Sequence, residues 1–253
     1  MSDAPPVRTP LYAEHLALDG RMVDFHGFEL PIWYSSISEE HLATRSGAGL
    51  FDVSHMGLFR FTGADVRGWL QGLATQAVTS IAPGRCAYTH FLDEDGLLID
   101  DMIFAVVSEE EILGVPNASM IPVMLDWFSR HLPEDGSVQI EDLSDATAIL
   151  ALQGPQAKAI LTSVLGEGAH VGRFRWGPLD GAALRLQREI TRKRERAPHQ
   201  RLLYCTGCAP LLPYISSRTG PRRIPRGEIY CVVTIRAQTA RPPRRATRGA
   251  SRR

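Results

Sequence analysis

The sequence predicts an α+β fold, antiparallel sheets with packed helices, over residues 1–187, followed by a basic tail without regular structure over residues 188–253. Three observations carry this. Strand-like runs follow one another across strong turn signals, apolar residues recur at helical spacing beside them, and the charge reverses near residue 187. The 253 residues are 44% hydrophobic and 22% charged, enough to bury a sizeable core without covalent staples.

The elements follow in order. Residues 58–62 read as a strand that Gly63 turns, after which Val66, Trp69, Leu70 and Leu73 recur at i, i+3, i+4 and i+7 as one helix face. Two β-type runs, 86–92 and 97–107, are joined by Asp93-Glu94-Asp95-Gly96, and a third short run covers 112–115. Ser119 is placed to cap a helix with the apolar face Ile121, Met124, Leu125, Phe128 and Leu132. Residues 148–152 form an apolar run, as a buried strand does, and break at Gln153-Gly154-Pro155. Pro155 suits the first turn of a helix burying Ile160, Leu161, Val164 and Leu165.

Composition narrows the function classes. No apolar run approaches the length of a spanning helix, and residues 1–10 lack the pattern of a secretory or transit segment. Four cysteines in a chain this long do not make a disulfide framework, so a soluble cytoplasmic protein is expected. Neither a glycine-rich phosphate loop nor a nucleophile elbow occurs, and over residues 1–187 no His/Cys/Asp set has metal spacing.

The net charge of zero averages two unlike parts. Residues 1–187 hold 11 basic and 25 acidic residues, whereas residues 188–253 hold 17 basic and 3 acidic ones together with 7 of the 17 prolines. Three accounts of this tail compete. It is the wrong reading frame of a GC-rich gene, a basic arm that binds nucleic acid by neutralising phosphates, or a zinc site built from Cys205-x-x-Cys208 with Cys231 and His199. Nucleic acid is a partner only under the second account.

The residues that point to chemistry are Asp100 and Asp101, inside a strand run that disfavours carboxylates. Neighbours in a strand face opposite ways, so Asp101 shares a side with Ile99 and Ile103, and Asp100 with Met102 and Phe104. A two-residue turn at Glu94-Asp95 sets Tyr88 opposite Asp101, and one at Asp95-Gly96 sets it opposite Ile103. Both place Tyr88 and Asp101 on one face, while a three-residue loop breaks that parity. A carboxylate beside a phenol can hold a planar, nitrogen-rich ligand. The plainer account is an acidic surface strand with one solvated carboxylate.

At this point Leu50-Phe51-Asp52-Val53-Ser54-His55-Met56-Gly57 resembles the signature of the aminomethyltransferases, the T-proteins of the glycine cleavage system. Thr9-Pro10-Leu11-Tyr12 and residues 23–31, VDFHGFELP, resemble that family's opening and its "VxFxGxxxP" segment. Gly96-Leu97-Leu98-Ile99-Asp100-Asp101 resembles its "GGxxDD", with Leu97 in place of the second glycine, and Ala151-Leu152-Gln153-Gly154-Pro155 its "LQGP". These stretches stand in family order across about 150 residues.

The resemblance implies the family's folate-binding fold and its reaction. The carbon of the aminomethyl group on a lipoyl-bearing H-protein passes to tetrahydrofolate, with release of ammonia. It also implies site roles: Asp101 as the catalytic residue against the attacking folate amine, Tyr88 and Asn117 lining the folate pocket, and Met56 as an apolar wall nearby. Asp100 is then structural or solvated, Asp52 and His55 are as well explained as turn and packing residues, and His26 as a surface histidine. The tail carries no counterpart of the family's later motifs. Two other readings therefore stand beside the enzyme: a folate-binding scaffold or assembly protein of the same superfamily without transfer activity, and a truncated inactive copy.

Overall fold

The computed structural model describes residues 5–166, 175–179, 202–206, 232–236 and 244–245. In chain order the N-terminal elements are β1 (Val7–Arg8), α1 (Tyr12–Ala17), β2 (Met22–Phe25), β3 (Phe28–Pro31), α2 (Ile37–Ser46) and β4 (Gly49–Asp52). The middle of the chain supplies β5 (Phe59–Thr62), α3 (Val66–Gln71), β6 (Cys86–Leu92), β7 (Leu98–Ser108), β8 (Glu111–Val115) and α4 (Ile121–Arg130). There follow β9 (Gln139–Asp142), β10 (Thr147–Gln153), α5 (Ala157–Leu165), β11 (Arg175–Leu179), β12 (Leu202–Thr206), β13 (Val232–Arg236) and β14 (Arg244–Arg245).

These strands form three sheets, ordered β1-β3-β2, β11-β12-β13-β10-β4 and β14-β9-β5-β8-β7-β6. All strand pairs are antiparallel except β1 with β3. The α+β class read from the sequence is the class observed. Of the basic tail, expected to lack regular structure, the described residues are strands: β12 and β13 join the sheet of β10, and β14 lies beside β9. Cys208, Cys231 and His199 of the zinc account lie outside the described residues, as do residues 190–198 and 241–243 of the basic stretches.

The six-stranded sheet carries the main core. Phe59 and Phe61 of β5, Phe91 of β6, and Met102, Phe104 and Val106 of β7 turn one face toward Val66 and Leu70 of α3 and Met124, Trp127 and Phe128 of α4. Phe128 stands edge-on to Phe59, Phe61 and Phe91, with ring centroids 6.3, 5.1 and 5.1 Å away. Such contacts add about 0.5–1.5 kcal/mol each to the area they bury. On the other face, Arg60 of β5 pairs with Glu111 at 2.7 Å and with Glu141 at 3.5 Å.

Two helix starts differ from the sequence expectation. Ser119 does not cap a helix; it lies in a 3-10 turn over Ala118–Met120, and α4 begins at Ile121 with Pro122 in its first turn, where the missing N–H costs nothing. Pro155 lies two residues before α5, whose buried pair is Ala157 and Leu161, one helical turn apart, while Ile160 is 38% exposed. Among the described residues no helix is long and apolar enough to cross a membrane.

Candidate functional site

The β6–β7 hairpin aims the candidate site through two compensating irregularities. Asp93 and Leu97 close a three-residue loop, in which the Asp93 N–H donates to the Leu97 carbonyl at 2.9 Å and Gly96 takes φ +77°, a conformation that suits glycine. That loop alone would set Tyr88 and Asp101 on opposite faces. A bulge then places Ile99 outside the ladder, between the pairs Leu92↔Leu98 and Phe91↔Asp100, and restores the parity. Tyr88 therefore pairs with Ile103 and His90 with Asp101, so Tyr88 lies diagonal to Asp101 on one face, and its hydroxyl donates to Asp101 Oδ2.

The opposite neighbour of β7 supplies the third residue. On the β7–β8 ladder Ile103 pairs with Val115, so continuation of that register brings Asn117 level with Asp101. Pro116 lacks an N–H and ends the strand. The Asn117 amide nitrogen donates to Asp101 Oδ1 at 3.1 Å, to the Asp101 carbonyl at 3.2 Å and to Asp100 Oδ1 at 2.7 Å. The Asn117 backbone N–H lies 3.4 Å from Asp100 Oδ2. Each oxygen of the half-buried Asp101 thus receives one donor and retains capacity to accept another.

Asp100, expected to be structural or solvated, is buried at 6% exposure on the core face with Met102 and Phe104. Met56, the expected apolar wall, lies in the turn after β4 and is not part of the hydrogen-bonded trio. It adjoins the trio through the chain: the N–H of Gly57 donates to the carbonyl of Pro116 at 3.3 Å, one residue before Asn117. A Cβ on Gly57 would come within 2.8 Å of Pro116 Cγ, so this approach requires glycine. A cavity of about 620 Å³ lies elsewhere, lined by Pro5, Pro6, Arg8, Met22, Val23, Asp24 and Glu29, and contains none of the trio.

A second polar cluster escaped the sequence reading. The Asp52 side chain, 1% exposed, accepts from Thr9 Oγ1 at 2.6 Å and from the Ser54 N–H at 2.9 Å, and its Oδ2 lies 2.9 Å from His15 Nε2. His15 Nδ1 lies 2.7 Å from the Tyr34 hydroxyl. With Asp52 ionised, Nε2–H donates to the carboxylate, and Nδ1 and the Tyr34 hydroxyl satisfy each other. Burial pushes the Asp52 carboxyl up, but hydrogen bonds from His15, Ser54 and Thr9 outweigh it and hold the group below the usual carboxylate range. Burial pushes the His55 imidazole down; its ring lies edge-on to Phe25 at 5.4 Å, and among the described residues its Nδ1 has no hydrogen-bond partner. His26 is exposed at φ +53°, in the β2–β3 turn.

Among the described residues no group of His, Cys, Asp and Glu has the arrangement of a metal site. The motif segments that lie about a hundred residues apart in sequence are neighbours in space: β4 pairs with β10 through Leu150↔Asp52, Ala151↔Phe51 and Leu152↔Leu50.

Comparison with known proteins adds a family match, two relatives and a solved structure. Residues 11–189 match the family model described as the GCVT N-terminal domain. The chain is 45% identical over 157 residues to an aminomethyltransferase of Bacillus subtilis, covering 62% of this chain and 43% of that protein. It is 38% identical over 184 residues to one of Thermotoga neapolitana, covering 72% and 50%. The crystal structure of glycine cleavage system aminomethyltransferase T from Bartonella henselae shares the fold with a TM-score of 0.65 at 27% identity, over 69% of this chain and 48% of that one. The chain spans about half the length of the curated relatives it matches.

Proposed function

Because the chain belongs to the GCVT N-terminal domain family, we propose that it is a tetrahydrofolate-dependent aminomethyltransferase of the glycine cleavage system, with residues 1–187 as its folate-binding region and residues 188–253 as a basic segment whose described strands pair with that region. The reaction takes its carbon from the aminomethyl-lipoyl arm of an H-protein. Two carbon–nitrogen bonds to tetrahydrofolate form, the bonds to the lipoyl sulfur and to the amino nitrogen break, and the two folate protons end on thiol and ammonia. A cytoplasmic location goes with this reading.

The observation that carries it is the setting of Asp101, a half-buried carboxylate held on one oxygen by the Tyr88 hydroxyl and on the other by the Asn117 amide. Such a group suits an acceptor for the folate amine. It orients the N–H so that the nitrogen lone pair meets the aminomethyl carbon, and it stabilises the positive charge that nitrogen gains on attack. This role needs no proton transfer to Asp101. Tyr88 adds an aromatic surface against which a planar ring stacks, Asn117 fixes the carboxylate, and Met56 forms an apolar wall on the adjoining turn.

The test combines two assays on the full chain, tetrahydrofolate titration and ammonia release from aminomethyl-lipoyl H-protein. Both are expected for the unsubstituted chain, and Asp101→Ala is expected to abolish methylenetetrahydrofolate formation while the unfolding transition is retained. Normal turnover in that variant removes the assignment. Folate binding without ammonia release identifies a folate-binding relative that does not transfer.

A further inference from the structure

We propose that Asp100 is a positioning residue for this site, acting through Asn117 on Asp101; the proposal rests on the proposed function and extends it to a residue that the reaction leaves unused. Asp100 faces the core beside Met102 and Phe104, opposite to Asp101, so it does not share the face on which Asp101 meets a ligand. A carboxylate at 6% exposure is costly unless its oxygens are satisfied. Among the described residues both of its hydrogen-bond donors belong to Asn117, the amide nitrogen at 2.7 Å and the backbone N–H at 3.4 Å.

The consequence concerns the orientation of the Asn117 amide. An asparagine side chain presents a donor end and an acceptor end of nearly equal shape, and its surroundings decide between them. An ionised Asp100 only accepts, so it draws the NH2 end of Asn117 toward β7, where the second N–H reaches Asp101 Oδ1 at 3.1 Å and the Asp101 carbonyl at 3.2 Å. The amide oxygen is left directed away from both carboxylates. Without Asp100 the amide is free to turn its oxygen toward Asp101, where it would repel the carboxylate rather than hold it. Asp100 therefore selects the amide orientation that holds Asp101 in place. Among the described residues Asn117 carries this, because it stands level with Asp101 just past the end of β8 and donates to both carboxylates.

The test uses the full chain carrying Asp100→Leu, which replaces a buried acceptor by an apolar side chain suited to the Met102 and Phe104 face. Tetrahydrofolate affinity is expected to fall about tenfold with the unfolding transition retained, since the relieved burial of charge offsets the donors freed on the half-buried Asn117. Asp100→Asn, which keeps an acceptor oxygen, is expected to recover most of the affinity. In the Asn117→Ala background Asp100→Leu is expected to cost nothing further, because its effect runs through the residue already removed. Equal affinity in Asp100→Leu and the unsubstituted chain, or additive losses in the double variant, overturns the proposal. A readout that needs no folate separates it from the proposed function: Asp100→Leu is expected to move the side-chain amide resonances of Asn117 in a nitrogen–proton correlation spectrum. Unmoved resonances overturn the positioning role, whereas moved resonances in a chain that does not bind tetrahydrofolate overturn only the proposed function.

Discussion

Asn117 stands level with Asp101 at the ladder position two residues past Val115, the last paired residue of β8, and its amide nitrogen lies 3.1 Å from Asp101 Oδ1. On the other flank of β7, Tyr88 reaches Asp101 Oδ2 from a diagonal position on β6. The carboxylate is thus fixed by one donor from β6 and one from the residue two past the end of β8, which the continued register of that ladder brings level with it. Hydrogen bonds to a charged acceptor are stronger than neutral ones, so this pair holds the group in one orientation at a half-exposed position.

Tyr88→Phe isolates one of these donors. The ring and its packing against His90, at 5.4 Å between centroids, are kept, while Asp101 Oδ2 loses its partner. Tetrahydrofolate affinity is expected to drop by about ten- to a hundredfold, since a hydrogen bond to a charged group contributes about 1.5–3 kcal/mol. Stability should change by less than about 0.5 kcal/mol, because the acceptor is not sealed from water. Calorimetric titration checks the first figure and urea unfolding the second. Unaltered affinity would mean that Tyr88 does not hold Asp101 in the binding conformation.

The two aspartates, the two strands that flank them and the face shared by Tyr88 and Asp101 were legible in the sequence, because strand alternation is a local pattern. The route to that face was not. Alternation assumes an unbroken ladder, whereas the hairpin here adds one residue in its loop and one at the Ile99 bulge, and the two shifts cancel. The Thr9–Asp52–His15 cluster was invisible for a different reason. Thr9 and His15 lie 43 and 37 residues from Asp52, and a contact across such a span leaves no periodic trace. The helix-face expectation for α5 put Ile160 inside, but the position a turn before Leu161 is Ala157, and the small side chain turned out to be the buried one.

Gly154→Ala tests the junction at which the Leu152-Gln153-Gly154-Pro155 segment meets α2. Gly154 takes φ +120°, and a Cβ there would lie 2.5 Å from the carbonyl oxygens of both Gly47 and Thr44. Both obstacles are backbone, so neither can swing aside as a flexible side chain can. Replacement is expected to destabilise the chain by about 2–4 kcal/mol, combining a disfavoured dihedral with a steric clash. The urea midpoint reports it. A midpoint within error of the unsubstituted chain would show that the α2–β4 connection shifts to make room.

Asp52→Asn tests the buried cluster beneath β4. The carboxylate oxygens face three donors, from Thr9, His15 and Ser54, and an amide offers only one accepting oxygen while turning an N–H toward the rest. A loss of about 2–4 kcal/mol is expected from donors left facing a donor in a buried site. The pH dependence carries a sign as well. The folded carboxyl lies below its ordinary 3.8, so the unfolded chain binds the proton more tightly. Its stabilisation is complete above the unfolded value and is lost as pH falls through the folded one. The acid limb of the stability curve below about pH 4 should accordingly be shallower in Asp52→Asn than in the unsubstituted chain. An acid limb of equal slope would place the group outside the acid transition.

His55 makes a prediction nearer neutrality. Burial depresses its imidazole below the ordinary 6.5; Asp52 draws it back up in part, and His26 lowers it further. The unfolded chain again binds the proton more tightly, so stability is full above the unfolded value and declines as pH falls from there toward the folded one. Among the described residues no hydrogen bond to Nδ1 is in place to relieve the decline, and the ring lies edge-on to Phe25. His55→Phe keeps an aromatic ring at the position and removes the titrating group. Urea unfolding between pH 7 and pH 5 should show a falling stability in the unsubstituted chain and a flatter profile in the variant. Equal slopes would assign the decline to another histidine and leave the burial of His55 without a part in it.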